Sequence, residues 1–215
     1  MTRLIIFANG LMPDLESARR LIQPGDVLFA ADGGTQHALA LGLLPSIVVG
    51  DLDSLTSDDR RRLDEEGVEI RQYPRDKGET DLELALRYAV EAGHSEILVV
   101  GALGGRLDQT LGNLSLLTAP EFVALDVRVD DGVEETFFTR SRCEVRGRPG
   151  DIVSLIPWGG EVTGLTTNGL RWSLRGETLF PDRTRGISNE MSGETASILL
   201  ESGLLLVIHH RQLWL

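Results

Sequence analysis

The chain has 215 residues, 41% of them hydrophobic and 25% charged, which is the globular range and far from the low-hydrophobicity, high-charge corner of disordered chains. A formal charge of −12 and a pI near 4.8 argue against a general nucleic-acid binder, because neutralising phosphates needs a clustered basic surface. The lone Cys143 excludes an intrachain disulfide framework, and the opening Met1-Thr2-Arg3 with its short apolar run predicts neither a signal peptide nor a membrane span, so a cytoplasmic location is expected.

Up to about residue 120, apolar runs alternate with helix-like segments. Leu4–Ala8, Val27–Ala31, Ile47–Gly50, Val68–Tyr73 and Ile97–Gly101 read as strands, several so continuously apolar that both faces must be buried, as in a parallel sheet. Helices are expected after Asp14, Thr35 and Ser57 as caps. Thr80-Asp81-Leu82-Glu83 reads as a capping box for a helix stopping at Gly93. A further helix is expected from Asp108 to Leu117. This alternation predicts an α/β three-layer domain with a mostly parallel sheet over residues 1–127.

Beyond about residue 130 the segments are short, strand-like and separated by Gly, Pro, Asn or Ser. They predict an all-β sandwich over 134–215, with Val127–Val133 as the joining segment.

In an open parallel sheet, ligands gather at the strands' carboxyl ends. There the sequence places Asp32-Gly33-Gly34, Asp51-Leu52-Asp53-Ser54, Lys77 ahead of Thr80-Asp81, and Gly104-Gly105-Arg106 ahead of Asp108. Paired glycines let backbone N–H groups approach phosphate oxygens, with a helix N-terminus behind them. Carboxylates repel phosphate unless a divalent cation intervenes, so this mixture predicts Mg²⁺ and a nucleotide. Taken as an extended segment, Asp51-Leu52-Asp53 would put both carboxylates on one face; Asp51, Asp53 and Asp81 are the expected metal ligands. Singly, each of these residues also reads as a turn or a cap. Lys77 is the sole lysine among 21 basic residues, which hints that a compact ammonium is preferred there. Neither a Walker phosphate loop nor a Gly-x-Gly-x-x-Gly after the first strand is present; only Asn9-Gly10 follows it.

Ala31-Asp32-Gly33-Gly34, Gly50-Asp51-Leu52-Asp53-Ser54, Lys77 to Leu86, and Gly101 to Asp108 with Asn113 together resemble the ordered signature of the thiamine pyrophosphokinase family. Gly164-Leu165, Gly169 to Leu174, Gly186 to Glu190 and Gly203 to Ile208 are similar to that family's thiamine-binding β domain. The resemblance implies pyrophosphoryl transfer from ATP to thiamine, giving thiamine diphosphate and AMP, by a homodimer in which thiamine lies between the α/β domain of one subunit and the β domain of the other. It implies catalytic roles for Asp51, Asp53, Asp81, Lys77, Arg106 and Asp108. ATP contacts are expected from Asp32, Gly33, Gly34, Ser54, Thr80, Gly104, Gly105 and Asn113, and thiamine contacts from Trp172, Ser188 and Asn189. Gly78 and Gln109 depart from the family pattern, which usually has an acid and a histidine there. A pyrophosphokinase for another alcohol, such as a hydroxymethylpterin, and a non-catalytic nucleotide- or thiamine-binding protein are the alternatives. His37 and His94 read as helix- and loop-surface residues, and the pair His209-His210 as structural.

Overall fold

A computed structural model describes residues 2–212. The chain forms two compact units, 1–132 and 133–215.

In the first unit the strands are β1 (Leu4–Phe7), β2 (Val27–Ala31), β3 (Ile47–Gly50), β4 (Glu69–Gln72), β5 (Glu96–Val100) and β6 (Asp126–Asp130). They run in the order β6-β5-β1-β2-β3-β4, and every pairing is parallel. The helices are α1 (Leu15–Leu21), α2 (Gly34–Ala40), α3 (Ser57–Glu65), α4 (Asp81–Glu91), α5 (Leu107–Leu116) and α6 (Pro120–Val123). Ile5, Phe7, Ala30, Val48, Leu98 and Val100 pack with Ala18 of α1, Ala38 of α2 and Leu41 that caps it, and Leu63 of α3 on one face. The chain then reverses direction from β4 back to β5. A right-handed crossover in the reverse direction lands on the opposite face, where α4 lies on β1, β2 and β3 and buries Leu82, Ala85, Leu86 and Ala89.

Helix starts differ in detail from the sequence reading. Asp14 caps α1, as its side chain accepts from the Glu16 N–H. The cap of α3 is Thr56 rather than Ser57, because Thr56 and Asp59 exchange side-chain and backbone bonds in a full capping box. Thr80 accepts from the Glu83 N–H at 3.2 Å, while the Glu83 carboxylate pairs with Arg87 at 2.9 Å. Thr35 caps nothing: α2 starts at Gly34 with Gly33 as a cap lacking any side-chain bond. The stretch read as a joining segment, Val127–Val133, instead supplies most of β6, whose Val127 and Val129 are buried against β5; its alternation with Asp126, Arg128 and Asp130 disguised it.

The second unit is antiparallel throughout. Its strands are β7 (Glu134–Thr139), β8 (Arg142–Arg146), β9 (Ile152–Pro157), β10 (Val162–Asn168), β11 (Glu177–Leu179), β12 (Asn189–Glu190), β13 (Thr195–Leu199) and β14 (Leu205–His210). One sheet runs β12-β9-β14-β7 and the other β11-β10-β13-β8. Phe137, Val153, Leu155, Leu205 and Val207 from the first meet Val145, Leu165, Leu179, Ala196 and Ile198 from the second in one core, which makes the unit a sandwich. The two-residue β12 was too short to read from periodicity. His209 is fully buried, with Nε2 3.0 Å from Asp151 and Nδ1 3.6 Å from Glu135.

Candidate active site at the switch point of the parallel sheet

The strand order reverses between β1 and β5, and at such a point the loops leaving the two strands separate to open a crevice. Here Gly10 and Leu11 donate their N–H groups to the carbonyls of Gly101 and Leu103 at 2.5 and 3.0 Å, and His37 Nε2 lies 2.9 Å from the Gly10 carbonyl. His37, read as a surface residue, therefore braces this junction. The cleft above it has a volume of about 590 Å³ and is lined by Asn9, Asp32, Asp51, Arg75, Lys77, Thr80, Asp81, Gly104, Gly105, Arg106, Gln109 and Asn113, among others.

Of the 33 acidic residues 23 fall within 1–132, against 12 of the 21 basic ones. The acidity of the chain is thus concentrated in the unit that holds this cleft.

Asp32, Asp51 and Asp53 each present a carboxylate oxygen, and the three oxygens lie within 4.8 Å of one another. Asp32 sits at the end of β2 with φ 41° and is 7% exposed. Its Oδ2 accepts from the Ser54 hydroxyl, while Oδ1 is buried without a hydrogen-bond partner. A buried carboxylate oxygen left unpaired is costly, and a cation held with Asp51 and Asp53 would relieve that cost, so the donor set fits a hard divalent ion. The two neighbouring carboxylates share a side for a different reason than the sequence suggested. Leu52 is not extended: it takes φ 66° and buries its side chain at 2% exposure, turning Asp51 and Asp53 back to the solvent side. The Asp53 N–H closes that turn on Asp51 Oδ1 at 3.1 Å.

Asp81, expected as the third ligand, opens α4 and stands 2.8 Å from Lys77 Nζ. Asp32 takes its place in the trio. Asp81 remains adjacent, since a Cβ on Gly50 would lie 2.9 Å from Asp32 Cβ and 3.2 Å from the Asp81 carboxylate; Gly50, at φ 151°, is what lets these side chains converge. Burial pushes the Asp81 carboxyl above its ordinary range, with the Lys77 ammonium opposing and the charges of Asp32 and Asp51 adding.

The two glycine pairs play different parts. Gly104 and Gly105 both have φ above 70° and line the cleft, as a phosphate-facing loop requires. Gly33 and Gly34 do not line it. A Cβ at Gly34 would stand 2.0 Å from the Phe7 carbonyl oxygen, and one at Gly33 would strike the Asn9 amide at 2.5 Å, so these glycines seat α2 against β1 and leave room for Asn9.

Arg106 forms a fork on Asp108, at 3.1 and 2.5 Å, which holds the exposed Asp108 carboxyl below its ordinary range. Asp108 lines a smaller adjoining pocket with Thr80, Glu83, Gln109 and Asn113. Asn113 ties α5 to the loop by donating to the Ala102 carbonyl at 2.8 Å. The sequence reading passed over Asn9, Arg75 and Gln109 as wall residues. Only their positions in the loops leaving β1 and β4 or at the start of α5 could have signalled them.

In the second unit Trp172 is 49% exposed, with the Arg171 guanidinium 4.9 Å over its ring. Asn189 is buried and spends its amide on the loop: Oδ1 accepts from the Trp172 N–H at 3.1 Å and Nδ2 donates to the Trp172 carbonyl at 2.8 Å. Ser188 is exposed, has φ 57° and donates its N–H to Ser154 Oγ at 3.0 Å. Trp172 and Asn189 are thus brought together, Asn189 as the residue that positions the tryptophan.

The family model described as the thiamin pyrophosphokinase catalytic domain matches residues 18–129, and that for the thiamin pyrophosphokinase vitamin B1 binding domain matches 142–205. A thiamine pyrophosphokinase of Bacillus subtilis is 29% identical over 213 residues, 97% of this chain and 98% of its own. Thiamine pyrophosphokinase 1 of rice is 29% identical over 177 residues, 78% of this chain and 67% of its own. The crystal structure of the thiamine pyrophosphokinase from Bacillus subtilis superposes with a TM-score of 0.87 at 26% identity, covering 99% of this chain and 100% of that one.

Proposed function

Since the chain belongs to the thiamin pyrophosphokinase family, we propose that it transfers a pyrophosphoryl group from ATP to the hydroxyl of thiamine, yielding thiamine diphosphate and AMP. The observation that carries this reading is the buried, unpartnered Asp32 oxygen, converging with Asp51 and Asp53 at a cleft that Asp32 and Asp51 line together with Gly104 and Gly105. Mg²⁺ bound there would screen the carboxylates from the phosphates and draw charge from the transferred group. The left-handed Gly104-Gly105 loop faces the phosphates, Asn113 fixes that loop through Ala102, and Lys77 with Arg106 offsets charge developing on the transferred and leaving groups.

The thiamine oxygen bonds to the β-phosphorus as the bond from that phosphorus to the α-bridging oxygen breaks, and AMP departs with that oxygen. The hydroxyl proton needs an acceptor, and of the two candidates Asp81 is the better suited. Burial raises its affinity for a proton, whereas Arg106 lowers that of Asp108. Trp172 offers an exposed indole to the cationic thiazolium or the pyrimidine, and the match of residues 142–205 to the vitamin B1 binding domain disfavours a pterin acceptor. A homodimer working in the cytoplasm completes the reading; among the described residues no helix is long and apolar enough to cross a membrane.

The test is AMP release from ATP, assayed with thiamine or Mg²⁺ omitted in turn. Release that needs both supports the assignment. Release without thiamine, or with a hydroxymethylpterin instead, overturns it, and binding of ATP or thiamine without turnover would make the protein a binding module.

A further inference from the structure

We propose that Arg75 is the guanidinium that receives the nucleotide phosphates in this cleft, leaving its partner Asp53 when a divalent cation occupies the carboxylates; the inference rests on the donor-cleft reading above. Among the described residues three cationic side chains line the cleft, Arg75, Lys77 and Arg106. Two are closely held: Lys77 lies 2.8 Å from Asp81 with its side chain only 12% exposed, and Arg106, although 73% exposed, is fixed on Asp108 by two hydrogen bonds. Arg75 is different. Its Nη1 stands 3.5 Å from Asp53 Oδ2, and its side chain is 84% exposed, so changing partners costs it little desolvation. Its backbone is nevertheless placed: the Tyr73 N–H donates to the Gly50 carbonyl at 2.9 Å and the Lys77 N–H to that of Arg75 at 3.1 Å, which pins the segment beside the Asp51-Leu52-Asp53 turn.

The carboxylate now paired with Arg75 belongs to the candidate cation trio. A cation in that trio competes with Arg75 for Asp53, while phosphates arriving with the cation offer the guanidinium a doubly charged, fork-matching partner. Arg75 should therefore oppose the bare cation and favour the cation–nucleotide complex. A residue with a merely structural role would shift both in the same direction.

The experiment is calorimetric titration of the full chain, without thiamine, with Mg²⁺ alone and with Mg²⁺ plus an ATP analogue carrying methylene between its α- and β-phosphates. Arg75→Gln should bind Mg²⁺ alone about two- to fivefold more tightly, the range of an exposed ion pair. It should bind the Mg²⁺–analogue about tenfold more weakly, the range of a lost charge-assisted contact. Arg75→Lys should fall between, and Arg61→Gln, which removes the same charge from an exposed pair with Asp58 on α3, should match the wild type. The proposal is overturned if both ligands weaken together, if analogue affinity is unchanged, or if Arg61→Gln reproduces the effect. Absence of thiamine-dependent AMP release from the wild type would instead sink the proposed reaction and leave this comparison standing.

Discussion

Gly10 donates its N–H to the carbonyl of Gly101 at 2.5 Å, and a Cβ at Gly10 would stand 2.5 Å from that same oxygen. The floor of the cleft is thus a backbone-to-backbone junction between the loops leaving β1 and β5, with no room for a side chain. Gly10→Ala should cost about 1–3 kcal/mol of stability, as other insertions into packed structure do, and should weaken nucleotide binding by forcing the loops apart. Urea unfolding together with nucleotide titration would check it; a variant of wild-type stability and affinity would show that the junction yields freely.

The choice of carboxylates is testable by thermal shift. A cation bound only by the folded chain stabilises it by about 2.7 kcal/mol at a hundredfold excess over Kd. Asp32→Asn should abolish the Mg²⁺-dependent rise in Tm, while Asp81→Asn should retain it and still lose turnover. The reverse pattern would restore Asp81 to the ligand set.

Asp81→Asn should also be no less stable than the wild type at neutral pH. A carboxyl whose folded pKa is raised binds protons more tightly when folded, so its contribution is greatest below its unfolded pKa and lost as pH rises through the folded one. Asparagine removes the charge that burial penalises. Denaturant unfolding at pH 7 decides the point, and a large loss of stability would mean that the Lys77 pairing outweighs desolvation.

Asp151 has the opposite sign. Burial pushes its carboxyl up, but the N–H groups of Arg148 and Gln212, with His209, outweigh burial and hold it below the ordinary range. Its contribution is therefore present above the unfolded pKa, about 3.9, and lost as pH falls through the folded value. Asp151→Asn should lose about 1–3 kcal/mol near neutrality, and the deficit should shrink with acidification. An undiminished deficit at acid pH would assign it to packing with Gly147 and His209.

Trp172 and Asn189 separate contact from positioning. Trp172→Ala should raise the KM for thiamine about tenfold, within the range of a desolvated cation–π contact, with nucleotide KM unchanged. Asn189→Ala should do the same through a loosened loop, detectable as greater quenching of Trp172 fluorescence by iodide. Unaltered quenching with a raised KM would make Asn189 a direct thiamine contact.

Much of this architecture was legible because its causes are local. Continuous apolar runs marked β1, β2, β3 and β5, alternation marked most of the sandwich strands, and Asp14 and Thr80 announced their helices through short-range bonds. β6 was missed because its alternating charges imitate a linker, the cap at Thr56 because the adjacent Ser57 offered an equally good hydroxyl, and the cap at Gly33 because it has no side chain to announce it while Thr35 does. For the cleft, residue types after strands were enough to gather Asp32, Asp51, Asp53 and Asp81 at one edge.

Which of those four meet was decided only in three dimensions. The left-handed turn at Leu52 aims two carboxylates together, the absent side chain of Gly50 lets Asp32 and Asp81 lie alongside, and Asp81 has the Lys77 ammonium for a partner while the inner oxygen of Asp32 has none. Likewise Gly33-Gly34 and Gly104-Gly105 are alike in sequence, yet one pair seats a helix and the other opens to the cleft. The sequence alone determined that acids and glycines would share the carboxyl edge of a parallel sheet, because strand and helix periodicity is a short-range property. Their pairing depends on distances between loops far apart in the chain, and those distances are set by sheet order and packing.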